Sequence, residues 1–235
     1  MEKNVIDRRI KVLEDEGIIF KTNAHVGDNV DAKQLKKDFN AIVLCGGATV
    51  RRSIPIPGSD LKGVTQAMDF LKLNNQYVDG LVDFKDVISA EGKNVVVIGG
   101  GDTGSDCIGT SNRHAAKSVT NFEILSKPSE GRPAHQPWPY WPMRLKTTSS
   151  HKEGVERFFS VSTKAFLGDS EGNLKGLKTV EVEWLFKKGE RPQLNEVPNT
   201  EKDWECELAL LALGFTGAEM TLAEQFDLKM DFRTN

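Results

Sequence analysis

The sequence lacks the features that mark several large classes of protein. No apolar run approaches the roughly 18 to 20 residues needed to cross a membrane. The charged opening, MEKNVIDRRIKVLEDEG, has none of the apolar core of a secretory signal. An excess of cations is missing too: 31 Lys and Arg stand against 34 Asp and Glu, for a net charge of −3 and a pI near 5.9. Such a balance leaves no basic footprint for nucleic acid. Cysteine is scarce. Cys45, Cys107 and Cys206 form no CxxC pair and no zinc spacing, and beside apolar or Gly-rich segments they read as buried, reduced thiols of a cytoplasmic protein. His25, His114, His135 and His151 are scattered without metal-ligand spacing. Neither a GxSxG elbow nor a cysteine–histidine signature occurs, so nucleophilic hydrolysis has no support.

What is present is an alternation of short apolar runs with amphipathic segments over 235 residues. The chain opens as a helix that Asn4 can cap, with Ile6, Ile10 and Leu13 on one face and Gly17 as its stop. IIFKTN (18–23) reads as a strand, DAKQLKKDF as a short helix, and the run Ala41 to Cys45 as a strand buried on both faces of a parallel sheet. TQAMDFLKLNNQYV is helical in pattern; Val95 to Ile98 is a strong strand, a helix follows to about Ala115, and SVTNFEIL (118–125) is the next strand. Residues 126–150 are Pro-rich and carry the aromatic ridge PWPYWP; a loop this long inside a compact domain is commonly functional. Hairpin-like strands come next, and ECELALLALGF closes as a buried strand ending at Gly214. This order predicts an α/β fold, a Rossmann-like parallel sheet with an antiparallel β insertion.

The chemistry concentrates at NVVVIGGGDTGSDC, residues 94–107. A dinucleotide's pyrophosphate carries two negative charges and must lie against backbone. Gly99 permits the tight turn out of the strand, Gly101 lacks a Cβ that would block the phosphates, and Gly104 lets the helix pack closely on the sheet. The free N–H groups of the helix that follows then face the anion, and Gly100, Asp102 and Thr103 are counted with the three motif glycines as binding residues. The bland alternative is a Gly-rich strand-to-helix turn with no ligand; the flanking strand and helix favour the binding reading. The acidic residue expected about 20 residues further on is Glu123, 19 beyond Gly104. Its carboxylate can accept hydrogen bonds from the adenosine ribose. Asp102 and Asp106 sit at the helix start, where the dipole favours negative charge in any case.

VVVIGGGDTGSDCIGTSNRHAAKSVT, EILSKP and PWPYWP closely resemble the small (β) subunit of glutamate synthase. So do NVIDRRIKVLEDEGI, GGATVRRSIPIPG, LKGV, AMDFL and LALLALGFTG, in the same order from Asn4 to about Gly217. The resemblance implies a nested, thioredoxin reductase-like architecture with two dinucleotide-binding domains. On it, residues 1–78 are a partial FAD-domain segment, 79–217 the NAD(P)H-binding domain and 218–235 the start of the returning FAD segment. It also implies hydride transfer from the nicotinamide to FAD, then iron–sulfur clusters, and a large subunit that makes glutamate from glutamine and 2-oxoglutarate. Gly47, Ala48 and Thr49, with Gly214 and Phe215, match the two crossovers that approach the flavin. The family's cysteine-rich cluster region, first glycine turn and final flavin motif have no counterpart in these residues, so an internal fragment is expected, with FAD and iron–sulfur clusters belonging to the full-length subunit only.

Two other readings remain open: another flavoprotein of the same architecture, such as a dihydropyrimidine dehydrogenase-like reductase, and a non-catalytic binding fragment. The choice of nucleotide turns on the ribose 2′ position. Glu123 accepts from a 2′-hydroxyl and repels a 2′-phosphate, which favours NADH; Lys127 and Arg132 could reach a phosphate from the loop, which keeps NADPH open.

Overall fold

The computed structural model describes residues 2–134, 136–141, 144–185 and 192–231. In chain order the first elements are α1 (Lys3–Asp15), α2 (Ala32–Asp38), β1 (Val50–Arg51), β2 (Val64–Gln66) and α3 (Ala67–Val78). The central ones are β3 (Asn94–Ile98), α4 (Asp102–Arg113), β4 (Ser118–Glu123), α5 (Ser149–Glu153) and β5 (Glu156–Phe159). Then follow β6 (Val161–Gly168), β7 (Leu174–Leu185), β8 (Gln193–Glu196), β9 (Lys202–Glu205), β10 (Leu208–Leu211), β11 (Phe215–Gly217) and α6 (Met220–Gln225). The chain divides into two compact units, Met1–Arg51 with Phe215–Asn235, and Arg52–Gly214. One unit is thus nested in the sequence of the other. The boundary expected at 78/79 falls at the end of α3, inside the larger unit, because β2 joins that unit's sheet and α3 buries Phe70 in its core. At the other end, β11 pairs with β1 in the smaller unit.

In the larger unit, five parallel strands lie in the order β2-β10-β3-β4-β5. β3 is central and every one of its residues is buried, since side chains alternate between two covered faces. Val95 and Val97 meet Phe70, Ala67, Cys107 and Ile108 on the side of α3 and α4. Val96 and Ile98 meet Phe122, Phe166, Leu174 and Leu177 on the other side. That second cover is antiparallel: β6, β7 and β8 in order, with β9 also paired to β7. The α/β class and the antiparallel insertion are as expected from the sequence. β2, hidden in a segment of helical pattern, was not.

The smaller unit departs further. α1 starts at Lys3 and places Asn4 inside its first turn, so Asn4 is not the cap. Its end is as expected: Gly17 has φ +94°, the Gly17 N–H donates to Glu14 O at 2.9 Å and the Ile18 N–H to Leu13 O at 3.0 Å, closing a left-handed cap. Neither 18–23 nor 41–45 is a strand. Ile19 and Val43 are 82% and 83% exposed; a strand needs ladder partners, and none of the described sheets places one beside either segment. Cys45, in the second segment, is exposed rather than buried, whereas Cys107 and Cys206 are buried as expected. Burial pushes both of those thiols up to about 12, so they stay protonated at neutral pH. No described helix is long and apolar enough to cross a membrane.

Candidate functional site: a glycine turn and its cleft

The turn from β3 into α4 lies at the carboxyl edge of the parallel sheet. Here the chain leaves β3 towards β4 on one side while β10 borders β3 on the other, the place where open α/β sheets hold ligands. Each glycine has its own reason. Gly99 has φ +114°, and a Cβ there would run into the backbone carbonyl of Ala212. At Gly104 a Cβ would sit 2.5 Å from the Gly99 carbonyl oxygen, so only glycine lets α4 approach this closely. Gly101 is different. It caps α4 with extended backbone (φ −76°, ψ −172°), and a Cβ built on it meets no atom within 4 Å. Nothing in the protein requires glycine there, so the bare backbone faces open space. The first N–H groups of a helix have no intrahelical acceptor, and those of Asp102, Thr103 and Gly104 begin at that point.

A residue not singled out from the sequence holds the turn. Asn121, on β4 and 1% exposed, donates from Nδ2 to Val97 O at 3.0 Å and to Gly99 O at 2.9 Å. Gly99 N–H donates to Phe122 O at 2.8 Å. The turn is therefore tied to the neighbouring strand from both sides of its first glycine. An Asn inside an apolar strand is a polar group that must find partners, and that was the available signal.

Glu123 ends β4 and turns back over the glycines: its carboxylate occupies the space that a Cβ on Gly100 would need. Together with Gly100, Gly101, Asp102 and Ser105 it lines a cleft of about 240 Å³. Arg144, Leu145 and Lys146 of the Pro-rich segment also line it, as do Arg157 and Phe159 of β5, with Phe159 beside Glu123 in the β4–β5 register. Arg157 Nη1 donates to Lys146 O at 3.0 Å, which binds that segment to the sheet edge, and its guanidinium lies over the Phe159 ring at 5.2 Å. Burial lowers the pKa of Arg157, and the nearby Glu123 carboxylate opposes the shift. Of the loop cations expected to reach a phosphate, neither lines this cleft. Lys127 is exposed; Arg132 donates to Gln136 O and Tyr140 O and lies over the Trp141 ring. In the aromatic ridge, Trp138 and Tyr140 are exposed, and Pro142 falls outside the described residues, as does His135.

The crossover residues separate between the units. Gly47, Ala48, Thr49 and Phe215 belong to the smaller one, where Thr49 N–H donates to Gly217 O at 3.0 Å and its hydroxyl to Glu219 at 2.9 Å. Arg51 pairs with Phe215 across the β1–β11 ladder. Gly214, with φ +74°, belongs to the larger unit and accepts from Arg52 N–H at 3.1 Å. His114 and His151 are buried and structural. His114 Nδ1 accepts from Ala90 N–H and its Nε2 bonds Asn74 Oδ1 at 2.8 Å; His151 closes a capping box with Thr148. Among the described residues no group of three or more His, Cys, Asp or Glu side chains could hold a metal ion.

The sequence profile of the pyridine nucleotide-disulphide oxidoreductases matches residues 2–234. Glutamate synthase [NADH] of Schizosaccharomyces pombe is 41% identical across the whole of this chain, which spans 12% of that protein. A glutamate synthase [NADPH] small chain of Mycobacterium tuberculosis is 43% identical over 93% of this chain and 44% of its own length. This chain thus spans less than half of either relative. Among solved structures, Mycobacterium tuberculosis FprA in complex with NADPH superposes with a TM-score of 0.62 at 16% identity, over 84% of this chain and 55% of that one, a likeness of fold.

Proposed function

The chain belongs to the pyridine nucleotide-disulphide oxidoreductase family, and on that premise we propose that its larger unit seats NAD(P)H, with NADH preferred, for a glutamate synthase-type flavoprotein. The observation that carries the proposal is the open backbone at Gly101 beside the Glu123 carboxylate. The turn offers helix N–H donors where a pyrophosphate would lie, and Glu123 would accept from the ribose 2′- and 3′-hydroxyls. Asn121 keeps the turn in shape, and the Pro-rich segment supplies part of the cleft's lining. The nucleotide held there would supply a hydride to FAD.

The described residues contain one strand–glycine turn–helix cradle, so the pyrophosphate of FAD has no comparable seat among them. Gly47, Ala48, Thr49, Gly214 and Phe215 are proposed to face it, and Lys127 to lie at the rim of the nucleotide seat. On the resemblance carried by the sequence motifs, the whole protein would work with a glutamate synthase large subunit and carry iron–sulfur clusters, forming glutamate from glutamine and 2-oxoglutarate.

Titration of NADH and NADPH against the wild type and Glu123→Gln tests the seat. A hydrogen bond to a charged acceptor contributes about 1.5–3 kcal/mol, so NADH should bind roughly tenfold or more weakly to the variant. NADPH should bind no worse. Tighter binding of NADPH to the wild type, or an unchanged ratio in the variant, would overturn the role given to Glu123.

A further inference from the structure

The segment that leaves β4 is held by groups outside the nucleotide seat just described. Glu123, Leu125 and Ser126 line the cleft, and two successive carbonyls among them are bonded to the antiparallel insertion. The Trp184 indole N–H donates to Ile124 O at 3.1 Å, across 60 residues of sequence. Ser160 N–H donates to Leu125 O at 3.0 Å, and Ser160 O accepts from Val182 N–H at 2.8 Å. Ser160 makes both bonds at φ +57°, a left-handed conformation uncommon outside glycine. β7 runs beside β6 as far as Glu181, and its residues 182–185 pair with β8. Trp184 therefore stands where β7 projects past β6, and it is half-buried there.

One peptide unit connects these bonds to Glu123. Ile124 C=O and Leu125 N–H belong to the same planar group, so fixing the first aims the second. Leu125 N–H donates to Glu123 Oε1 at 3.5 Å, a long bond. Glu123 Oε2 lies where a Cβ on Gly100 would sit. One carboxylate oxygen is thus turned towards the backbone and the other over the glycine turn. We propose that Trp184 is a positioning residue for the nucleotide: its indole N–H fixes the peptide between Ile124 and Leu125 and so holds the Glu123 carboxylate towards the adenosine ribose. The proposal rests on the reading of the cleft as a nucleotide seat. Trp184 does not line the cleft and acts through Glu123. A glutamate side chain loses much rotamer freedom when it is fixed, and fixing it before the ligand arrives favours binding.

Trp184→Phe keeps an aromatic ring suited to a strand and removes only the donor. Calorimetry with NADH compares the wild type, Trp184→Phe, Glu123→Gln and the double variant, and thermal unfolding of each is followed in parallel. Trp184→Phe should bind NADH about three- to fivefold more weakly than the wild type. Within the Glu123→Gln background the same change should alter binding less than about 1.5-fold, the non-additivity of residues that act as one unit. A tryptophan that only stapled β7 to β4 would weaken both backgrounds equally. Equal losses, or no loss in Trp184→Phe, would overturn the proposal and leave the seat standing. Unchanged NADH binding in Glu123→Gln would remove the role of Glu123 and that of Trp184 with it. A second measurement needs no change at Trp184: the Leu125 amide should exchange at least about threefold faster in Glu123→Ala than in the wild type. An equal rate would break the link from Trp184 to the carboxylate and overturn the proposal.

Discussion

Three single substitutions in one turn separate what the glycines do for the protein from what Gly101 does for a ligand. Gly101→Val adds a branched side chain where a Cβ meets no atom within 4 Å, on backbone with φ −76° that any residue adopts. Its structural cost is confined to the cap position of α4, where valine is poorer than glycine by about 1 kcal/mol. For a chain of this size that lowers Tm by roughly 2–4 °C. Nucleotide binding should fall more than tenfold, a loss above about 1.4 kcal/mol, since the side chain fills the space the pyrophosphate needs. Gly99→Ala and Gly104→Ala behave in the opposite way. The first forces a side chain onto φ +114° and into the Ala212 carbonyl; the second drives a Cβ to 2.5 Å from the Gly99 oxygen. Strained backbone of the first kind alone costs about 1–3 kcal/mol, and both variants should lose Tm by more than Gly101→Val does. Differential scanning calorimetry and isothermal titration read the two quantities on the same samples. A folded Gly101→Val that binds NADH as the wild type does would refute the reasoning, and the turn would then be structural only.

Asn121→Ala removes both hydrogen bonds that hold the turn and should cost about 1–3 kcal/mol in urea denaturation, with weaker NADH binding; stability within 0.5 kcal/mol of wild type would mean that the turn holds itself. Burial lowers the His114 pKa below 6.5, so on acidification the unfolded chain takes up its proton first. His114 therefore contributes nothing to pH dependence well above pH 6.5, and stability is lost as pH falls from there through the lower folded-state value. Denaturation between pH 8 and pH 5.5 should show a steeper loss in the wild type than in His114→Gln, and equal slopes would contradict the assignment.

How much was legible from sequence differs by element, and the reasons are physical. Val95–Ile98 and 41–45 are both apolar runs, yet only the first lies in a buried strand. β3 has β10 and β4 hydrogen-bonded along its two sides, whereas the described sheets give 41–45 no neighbour. Apolarity marks a candidate strand; the ladder partner makes it one, and partners are distant in sequence. The glycine turn, the helix it opens and the placement of Glu123 at the end of β4 could be read because each depends on residues within about 30 positions. Arg144, Lys146 and Arg157 could not. Their meeting with Gly100 and Glu123 depends on β5 pairing with β4 and on one side chain, Arg157, reaching the Lys146 carbonyl. Asn121 carries a weaker signal, an amide in an apolar strand that requires a partner without showing which one.

The proposed dinucleotide seat lies at the β3–α4 turn and the end of β4. Amide hydrogen exchange, compared with and without saturating NADH, tests it most directly. Protection should rise at Gly99–Ser105 and at residues 123–126, and remain unchanged along α1 and α2. Saturation without added protection at the turn, or protection confined to another part of the chain, would contradict the account.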